Sequence, residues 1–288
     1  MIQSMTGYAR GESRGDWGVM TLELRSINHR YLETHFRLPE PVRGLEAHMR
    51  QQIASRIKRG KVDVTLRLEQ AAAADGALVV NEALAADVAA AAESLAGQAA
   101  NTAPLNPMDI LRWPGVVREP TVDAERLGAA IADLLAATLD ELAANRRAEG
   151  ARIDALLRER TSGIADYVGK VRDRLPAVRE QMKAKLLARL AELDLAPDDD
   201  RLNQELVYTA QKIDVAEELD RLESHITEVD KALKRNEPVG RRLDFLMQEF
   251  NREANTLGSK SADTETTHAA VEIKVLIEQM REQVQNVE

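Results

Sequence analysis

The sequence predicts an α+β protein in which a small antiparallel-sheet domain with one helix precedes a long helical arm and a helical C-terminal domain. Two observations lead to this fold class. Alternating apolar and polar residues, the pattern of half-buried strands, occur only before residue 70, whereas later apolar residues recur at helical spacing. Aromatic residues make up 3% and charged residues 30% of an Ala- and Leu-rich chain, which is typical of mostly helical proteins. The predicted domains cover residues 1–70, 80–196 and 200–288.

In the first domain, one helix is predicted to pack on a sheet. Pro39 and Pro41 end a strand and open a helix that runs from about Val42 to Lys58, with apolar residues in helical register. The strands themselves are indicated by alternation with a period of two residues. The three predicted strands lie within residues 17–27, 31–38 and 62–69.

The middle region is predicted to contain helices of very different length. Asn81 is expected to cap a helix that reaches about Leu95, and a much longer helical stretch runs from about Asp123 to Asp194. Pro176 is expected to divide the long stretch, because proline lacks the amide that an interior helical turn uses. The narrow apolar seam of this stretch indicates an arm or an oligomer contact. Further turns or breaks are expected at Asp75-Gly76, Pro114-Gly115 and residues 197–200.

The C-terminal domain is predicted to be a unit of three helices. The first runs from about Asn203 to Lys234, and the second opens after Pro238 and ends just before Gly258, its expected C′ residue. Asp263 or Thr264 is expected to cap the third helix.

Composition and motifs exclude several classes of site. The chain has no cysteine, which excludes disulfides and thiolate metal sites. It also lacks an HExxH motif, a P-loop and a GxGxxG turn after a strand, so no nucleotide cofactor is expected. No apolar run approaches the ~20 residues that span a bilayer, and the first residues do not resemble a signal peptide. The expectation is a cytoplasmic protein with no membrane partner.

An uneven charge distribution indicates an anionic partner for the first domain. Residues 1–69 carry 12 Lys and Arg against 8 Asp and Glu, although the whole chain has a net charge of −9. Two turns in this domain offer basic and aromatic groups that suit phosphates and stacked bases. Solvated turns with a structural tyrosine are the alternative reading. The candidate RNA-binding residues of the two turns are His29, Arg30, Tyr31, Arg59 and Lys61.

The predicted helix over residues 241–257 has the composition of a binding site. Asn251 and Asn255 have poor helix propensity, so they weaken this helix unless they serve another purpose. Glu249 and Glu253 stack at i and i+4 on one side of its apolar stripe. A second polar column, on the other side, contains Asp244, Gln248, Asn251 and Asn255.

The preceding helix supplies a complementary column at the edge of its own apolar stripe. Asp214, Glu218, Arg221 and His225 follow one another at helical spacing. Carboxylates and a histidine on two adjacent helices can hold a divalent cation. Ordinary surface ion pairs and a structural histidine are the alternative.

Several motifs resemble those of the YicC/YloC family of bacterial proteins, from one end of the chain to the other. Residues 5–10 read MTGYAR, residues 25–32 read RSINHRYL, and residues 59–62 read RGKV. The longest and most specific is DFLMQEFNREANTLGSKS at residues 244–261. The resemblance implies an endoribonuclease that requires a divalent metal, with Mn²⁺ expected and Mg²⁺ as the alternative. It also implies a homohexamer around a cavity that admits RNA.

The site residues are assigned from helical geometry rather than from the resemblance. Ligand charge favours the Glu249 column over the amide column as the one that faces the metal. Arg252 and Lys260 are expected to bind phosphate, and Glu249, Glu253 and Arg252 to take part in catalysis. Two alternatives remain: an RNA-binding adaptor that serves another nuclease, and a helical scaffold with no role in RNA. The expected metal ligands are Glu218, His225, Glu249 and Glu253.

Overall fold

The computed structural model confirms the α+β class, with a four-stranded sheet near the N-terminus followed by a long helix and three C-terminal helices. It describes residues 2–69, 79–98, 104–118, 123–192, 204, 207–208, 214–235 and 237–288. The expected turn at Asp75-Gly76 and the expected break at residues 197–200 lie outside these ranges. No helix in the described ranges is both long enough and apolar enough to cross a membrane.

The sheet contains one strand that the sequence did not predict. Strand β1 (Gly7–Gly15) pairs with β2 (Gly18–Ile27), and the sheet order is β1-β2-β4-β3, with β3 at Leu32–Arg37 and β4 at Gly60–Glu69. Three glycines in β1 hide its strand signal, because glycine has low strand propensity. Two of them have a packing reason, since a Cβ on Gly7 or Gly11 would contact side chains of the helix behind the sheet within 3.0 Å.

The sheet is mixed, so the expectation of a purely antiparallel sheet is wrong at one pair of strands. Strands β3 and β4 run parallel, with Leu32 opposite Gly60 and Arg37 opposite Thr65. The cause is their connection, because a short 3-10 turn (Glu40–Leu45) and helix α1 (Glu46–Arg56) cross over between them. A crossover of this kind returns the chain in the same direction.

The middle region adds a small two-stranded sheet of β5 (Val79–Val80) and β6 (Val117–Arg118). Helix α2 (Glu82–Ala96) begins as predicted, with the side chain of Asn81 accepting a hydrogen bond from the Leu84 amide at 3.4 Å. The short helix α3 (Pro107–Leu111) ends before the expected break at Pro114-Gly115, where Gly115 has a φ of 86°.

Helix α4 runs without interruption from Ala124 to Glu192, so the expected division at Pro176 is wrong. Proline removes one backbone hydrogen bond, but the apolar face continues on both sides of it. Val171 and Leu175 pack against the C-terminal core, and Val178 is buried one turn later. Tertiary packing therefore keeps the two halves on one axis.

The C-terminal helices are α5 (Ala216–Leu233), α6 (Gly240–Lys260) and α7 (Thr264–Val284). Asp263 is the N-cap residue of α7, as expected. Gly258 does not end α6, because the helix continues for two more residues. A Cβ at Gly258 would lie 3.6 Å from that of Ala270, so this residue faces α7 at van der Waals distance. Asp214 precedes α5 rather than belonging to it.

Two hydrophobic cores share helix α4. The first half of α4 and helix α1 cover one face of the sheet, whereas the middle of α4 packs against α5 and α7, and these two helices in turn pack against α6. The long helix is therefore not a free arm over the part that contributes Leu127 to one core and Val171 to the other. The domain boundaries remain a prediction.

Residues 2–5 and 286–288 form a small clasp on α4. The amide of Met5 donates to the carbonyl of Asn286 at 2.7 Å, and the amide of Glu288 donates to Gln3 at 2.9 Å. Arg146 of α4 is buried beneath them, where its Nε donates to the carbonyl of Ser4 at 2.6 Å and its guanidinium pairs with Glu288. The clasp connects the sheet, the long helix and the end of α7.

Candidate metal centre and RNA-binding surface

Three of the four expected metal ligands lie together between helices α5 and α6. His225 of α5 faces Glu249 and Glu253 of α6, and one ligand atom from each lies within 4.8 Å of those from the other two. The glutamates occupy successive turns of one helix, which places both carboxylates on the same side. An imidazole and two carboxylates at this separation can ligate a divalent metal ion.

The imidazole of His225 is held in place by packing. Its ring meets the buried ring of Phe250 edge to face, with the centroids 5.5 Å apart. The Nε2 atom of His225 is buried and has no hydrogen-bond partner among the described residues. Burying a polar atom without a hydrogen-bond partner costs free energy. A ligand that bound to this nitrogen would remove that cost.

Arg221, one turn before His225, balances part of the negative charge. Its Nη1 donates to Oε1 of buried Glu253 at 3.2 Å, and its guanidinium also pairs with Glu217. The hydrogen bond to Glu253, followed by the negative charge of Glu217, raises the pKa of Arg221 above its ordinary value. Arg221 therefore stays charged, and one oxygen of Glu253 remains available. Sequence reasoning placed Arg221 in the right column but gave it no role.

The structure does not bring Glu218 into this group. Glu218 is buried seven residues before His225, about 10 Å along the helix axis. Its Oε1 accepts a hydrogen bond from Nζ of Lys260 at 2.7 Å, and the same Nζ donates to the carbonyl of Asp214 at 3.0 Å. Lys260 is therefore engaged in joining the end of α6 to the start of α5, and its charge is not free for phosphate.

Replacing Lys260 with Met is expected to lower the free energy of unfolding by about 2 kcal/mol, because Glu218 would be left buried without its cation. The other oxygen of Glu218 already lacks a partner among the described residues. Urea denaturation measures the effect, and Lys274→Met on the exposed side of α7 is the control. Adding Glu218→Gln to the variant should recover part of the loss. Equal stability of Lys260→Met and the wild type would contradict this role.

The second polar column of α6 faces away from His225. Within it, Gln248 donates to Asp244 at 3.1 Å and Asn255 donates to Asn251 at 2.9 Å. This column lines a surface groove of about 510 Å³ at the side of α6 that faces α7. The structure thus places the Glu249 column, and not the amide column, beside His225. The groove is lined by Met247, Gln248, Asn251, Arg252, Asn255, Thr256 and Arg281.

Arg252 lies on the exposed side of α6, between the groove and the face that carries Glu249 and Glu253. Among the described residues, no carboxylate lies within salt-bridge distance of its guanidinium. Phe245, two turns earlier on the same side, is 58% exposed. An uncommitted guanidinium and an open aromatic ring are the groups with which proteins hold single-stranded RNA.

The two basic turns of the first domain are brought into contact. Nε of Arg59 donates to the carbonyl of His29 at 3.0 Å, and the guanidinium of Arg30 lies 5.2 Å from the ring centre of Tyr31. Tyr31 is 62% exposed, and Lys61 is the second residue of strand β4, opposite Glu33 of β3. These five residues, His29, Arg30, Tyr31, Arg59 and Lys61, are called the basic patch below.

The basic patch lies next to the end of helix α7. The side-chain amide of Asn28 donates to the carbonyl of Gln285 at 2.6 Å. Arg281, which lines the groove, lies one helical turn before Gln285 on the same helix face. The patch and the groove are thus connected along α7, although they are more than 180 residues apart in sequence. Sequence periodicity did not indicate a role for Arg281, because the contact between the domains is not visible in either segment alone.

Comparisons with known proteins place the chain in one family. Two family models match, the C-terminal part of YicC-like endoribonucleases over residues 171–288 and the N-terminal region of the same family over residues 2–155. The chain is 43% identical over 288 residues to a probable endoribonuclease YicC of Haemophilus influenzae, with both chains fully covered. It is 31% identical over 293 residues to a probable endoribonuclease YicC of Clostridioides difficile, again over the full length of both.

Proposed function

Because the chain belongs to the YicC-like endoribonuclease family and is an endoribonuclease, we propose that it cleaves RNA with a divalent metal ion held by His225, Glu249 and Glu253. The observation that carries the proposal is the convergence of these ligand atoms within 4.8 Å. The buried Nε2 of His225, which has no protein partner among the described residues, supports it.

The donor set favours Mn²⁺ over Mg²⁺. Carboxylates suit both ions, but an imidazole nitrogen is a poor ligand for Mg²⁺ and a good one for transition metals. Arg221 supports the site, because its hydrogen bond to Glu253 fixes the orientation of that carboxylate. Glu253 is buried and Glu249 is half-buried, so one ligand is rigid and the other lies closer to solvent.

A divalent ion held by His225, Glu249 and Glu253 would polarise a phosphoryl oxygen and make a bound water more acidic. Side chains bind the phosphate and transfer the proton. Arg252 binds the negative charge of the phosphate, since no carboxylate among the described residues competes for its guanidinium. Glu249 has no side-chain partner among the described residues, and its carboxylate accepts the proton of the attacking water. That proton then passes to the leaving ribose oxygen, so that one water is added across the broken P–O bond.

The basic patch holds the substrate at a distance from the cleaved bond. Lys and Arg contacts to phosphates add affinity without reading sequence, while exposed Tyr31 stacks on a base. Assembly into a homohexamer around a cavity would repeat this weak patch and raise the effective affinity without new contacts. It would also place the patches of a chain with net charge −9 in one interior. The expected location is the cytoplasm.

Purified protein is expected to cleave an RNA hairpin with single-stranded flanks in Mn²⁺ and to lose activity in EDTA. Excess Mn²⁺ should restore the activity. Electron paramagnetic resonance of Mn²⁺ without RNA should show one bound ion per chain. If protein that has been stripped of metal and kept in EDTA cleaves the RNA at the full rate, the reaction does not depend on a metal. RNA binding without any cleavage by rigorously clean protein would favour an adaptor that presents RNA to another nuclease.

A further inference from the structure

We propose that the groove beside α6 binds the bases of a single RNA strand next to the cleaved phosphate and gives the enzyme its base preference. This inference rests on the proposed function, because it takes RNA as the substrate. The groove contains no carboxylate among its lining residues, and its two charged groups, Arg252 and Arg281, are both cationic. A groove with this charge suits a polyanion.

The uncharged lining offers the groups that read base edges. Gln248, Asn251 and Asn255 each carry an amide with donors and an acceptor, and such amides pair with complementary donor and acceptor atoms of a base. Their internal hydrogen bonds are few: Asn255 donates to Asn251, and Gln248 donates to Asp244. Most donor and acceptor positions of the three amides therefore remain available to a ligand.

The amides are unfavourable for the helix that bears them. Asn has lower helix propensity than Ala, and neither Asn251 nor Asn255 contributes to a buried core. Both are interior residues of α6, where they neither begin nor end the helix. A structural role thus does not explain their presence, whereas hydrogen bonding to a ligand does.

The position of the groove fits a strand that runs from the basic patch to the metal centre. Arg281 lies one turn from Gln285, whose carbonyl holds Asn28 beside the basic patch. At the other side, Arg252 separates the groove from Glu249 and Glu253, across a helix about 10 Å in diameter. Phe245 is exposed one turn before Gln248 and offers a ring on which a base can stack.

The test replaces both Asn251 and Asn255 with Ala. The variant is expected to melt about 2 °C higher than the wild type, because Ala is the better helix former. It should nevertheless bind a single-stranded RNA oligonucleotide about tenfold more weakly in EDTA, where no cleavage occurs. Sequencing of products in Mn²⁺ should show that preference for a base at the cleavage site is lost. Gln51→Ala is the matched control, since Gln51 also carries an exposed helical amide but belongs to α1, which does not line the groove.

Unchanged affinity and an unchanged cleavage profile in a correctly folded variant would overturn the inference. So would a change in oligomeric state, measured by light scattering, because the groove would then be a contact between subunits. The proposed function is tested separately by wild-type cleavage in Mn²⁺. If the wild type does not cleave and the variant still loses affinity for RNA, the groove remains an RNA site and only the catalytic proposal is lost.

Discussion

Glu249→Gln is expected to reduce the rate of RNA cleavage by at least about 100-fold while leaving the melting temperature nearly unchanged. Gln has the same size as Glu but cannot supply an anionic ligand or accept the proton of the attacking water. Glu249 is the cleanest of the three cluster residues to replace. It has no side-chain partner among the described residues, whereas Glu253 is bound to Arg221 and His225 packs on Phe250.

Two measurements separate a chemical role from a structural one. Single-turnover cleavage gives the rate, and Mn²⁺ binding followed by electron paramagnetic resonance reports on the site without RNA. Glu282→Gln, on the exposed side of α7, is the matched control and should behave as the wild type. His268→Ala is the corresponding control for His225→Ala, because His268 is also on a C-terminal helix and 70% exposed. Full activity of Glu249→Gln would exclude the proposed site.

Gly150→Ala is expected to destabilise the protein by about 3 kcal/mol, although Ala is normally the better residue inside a helix. A Cβ at this position would lie 2.2 Å from the carbonyl oxygen of Ile2 and 2.8 Å from the Cα of Gln3. Both atoms belong to the backbone of the clasp, so no side chain can rotate away to make room. The variant must therefore displace residues 2–5 from Arg146.

Gly169→Ala provides the opposite result in the same helix. Nothing lies within 4 Å of a Cβ at Gly169, so the substitution should stabilise α4 by up to about 1 kcal/mol. Chemical denaturation of both variants measures the difference. Equal effects of the two substitutions would show that residues 2–5 do not pack on Gly150 in solution.

Helical periodicity was sufficient to predict that His225, Glu249 and Glu253 lie on facing sides of two helices. The spacing of Glu249 and Glu253 fixed the side of α6 on which they lie, and the column of His225 fixed the corresponding side of α5. Periodicity gives an angle around one helix and no position along a neighbour. In the packing of α5 against α6, His225 lies opposite Glu253. Seven residues earlier on α5, Glu218 lies opposite Lys260, which is seven residues later on α6. That register depends on contacts between helices, so the sequence did not indicate that Glu218 pairs with Lys260.

The differences between the predicted and the observed fold also arise from contacts between elements. Strand β1 was missed because Gly7, Gly11 and Gly15 serve packing against α4 or a tight turn rather than strand propensity. Pro176 and Gly258 are local signals for a break that longer apolar stripes override. Asn28, beside the basic patch, meets the end of α7 through a hydrogen bond between segments that are distant in sequence. Local patterns predicted elements and their faces, whereas contacts between elements determined which faces meet.

The continuity of helix α4 limits how this protein can be divided. The two family models meet between residues 155 and 171, in the interior of that helix. A cut there would leave Ile153 and Leu157, which belong to the C-terminal core, exposed at the end of an N-terminal fragment. The sheet and the helical unit are therefore joined by one helix that contributes side chains to both cores. A change in one must be accommodated by the other through a shared, unbroken element.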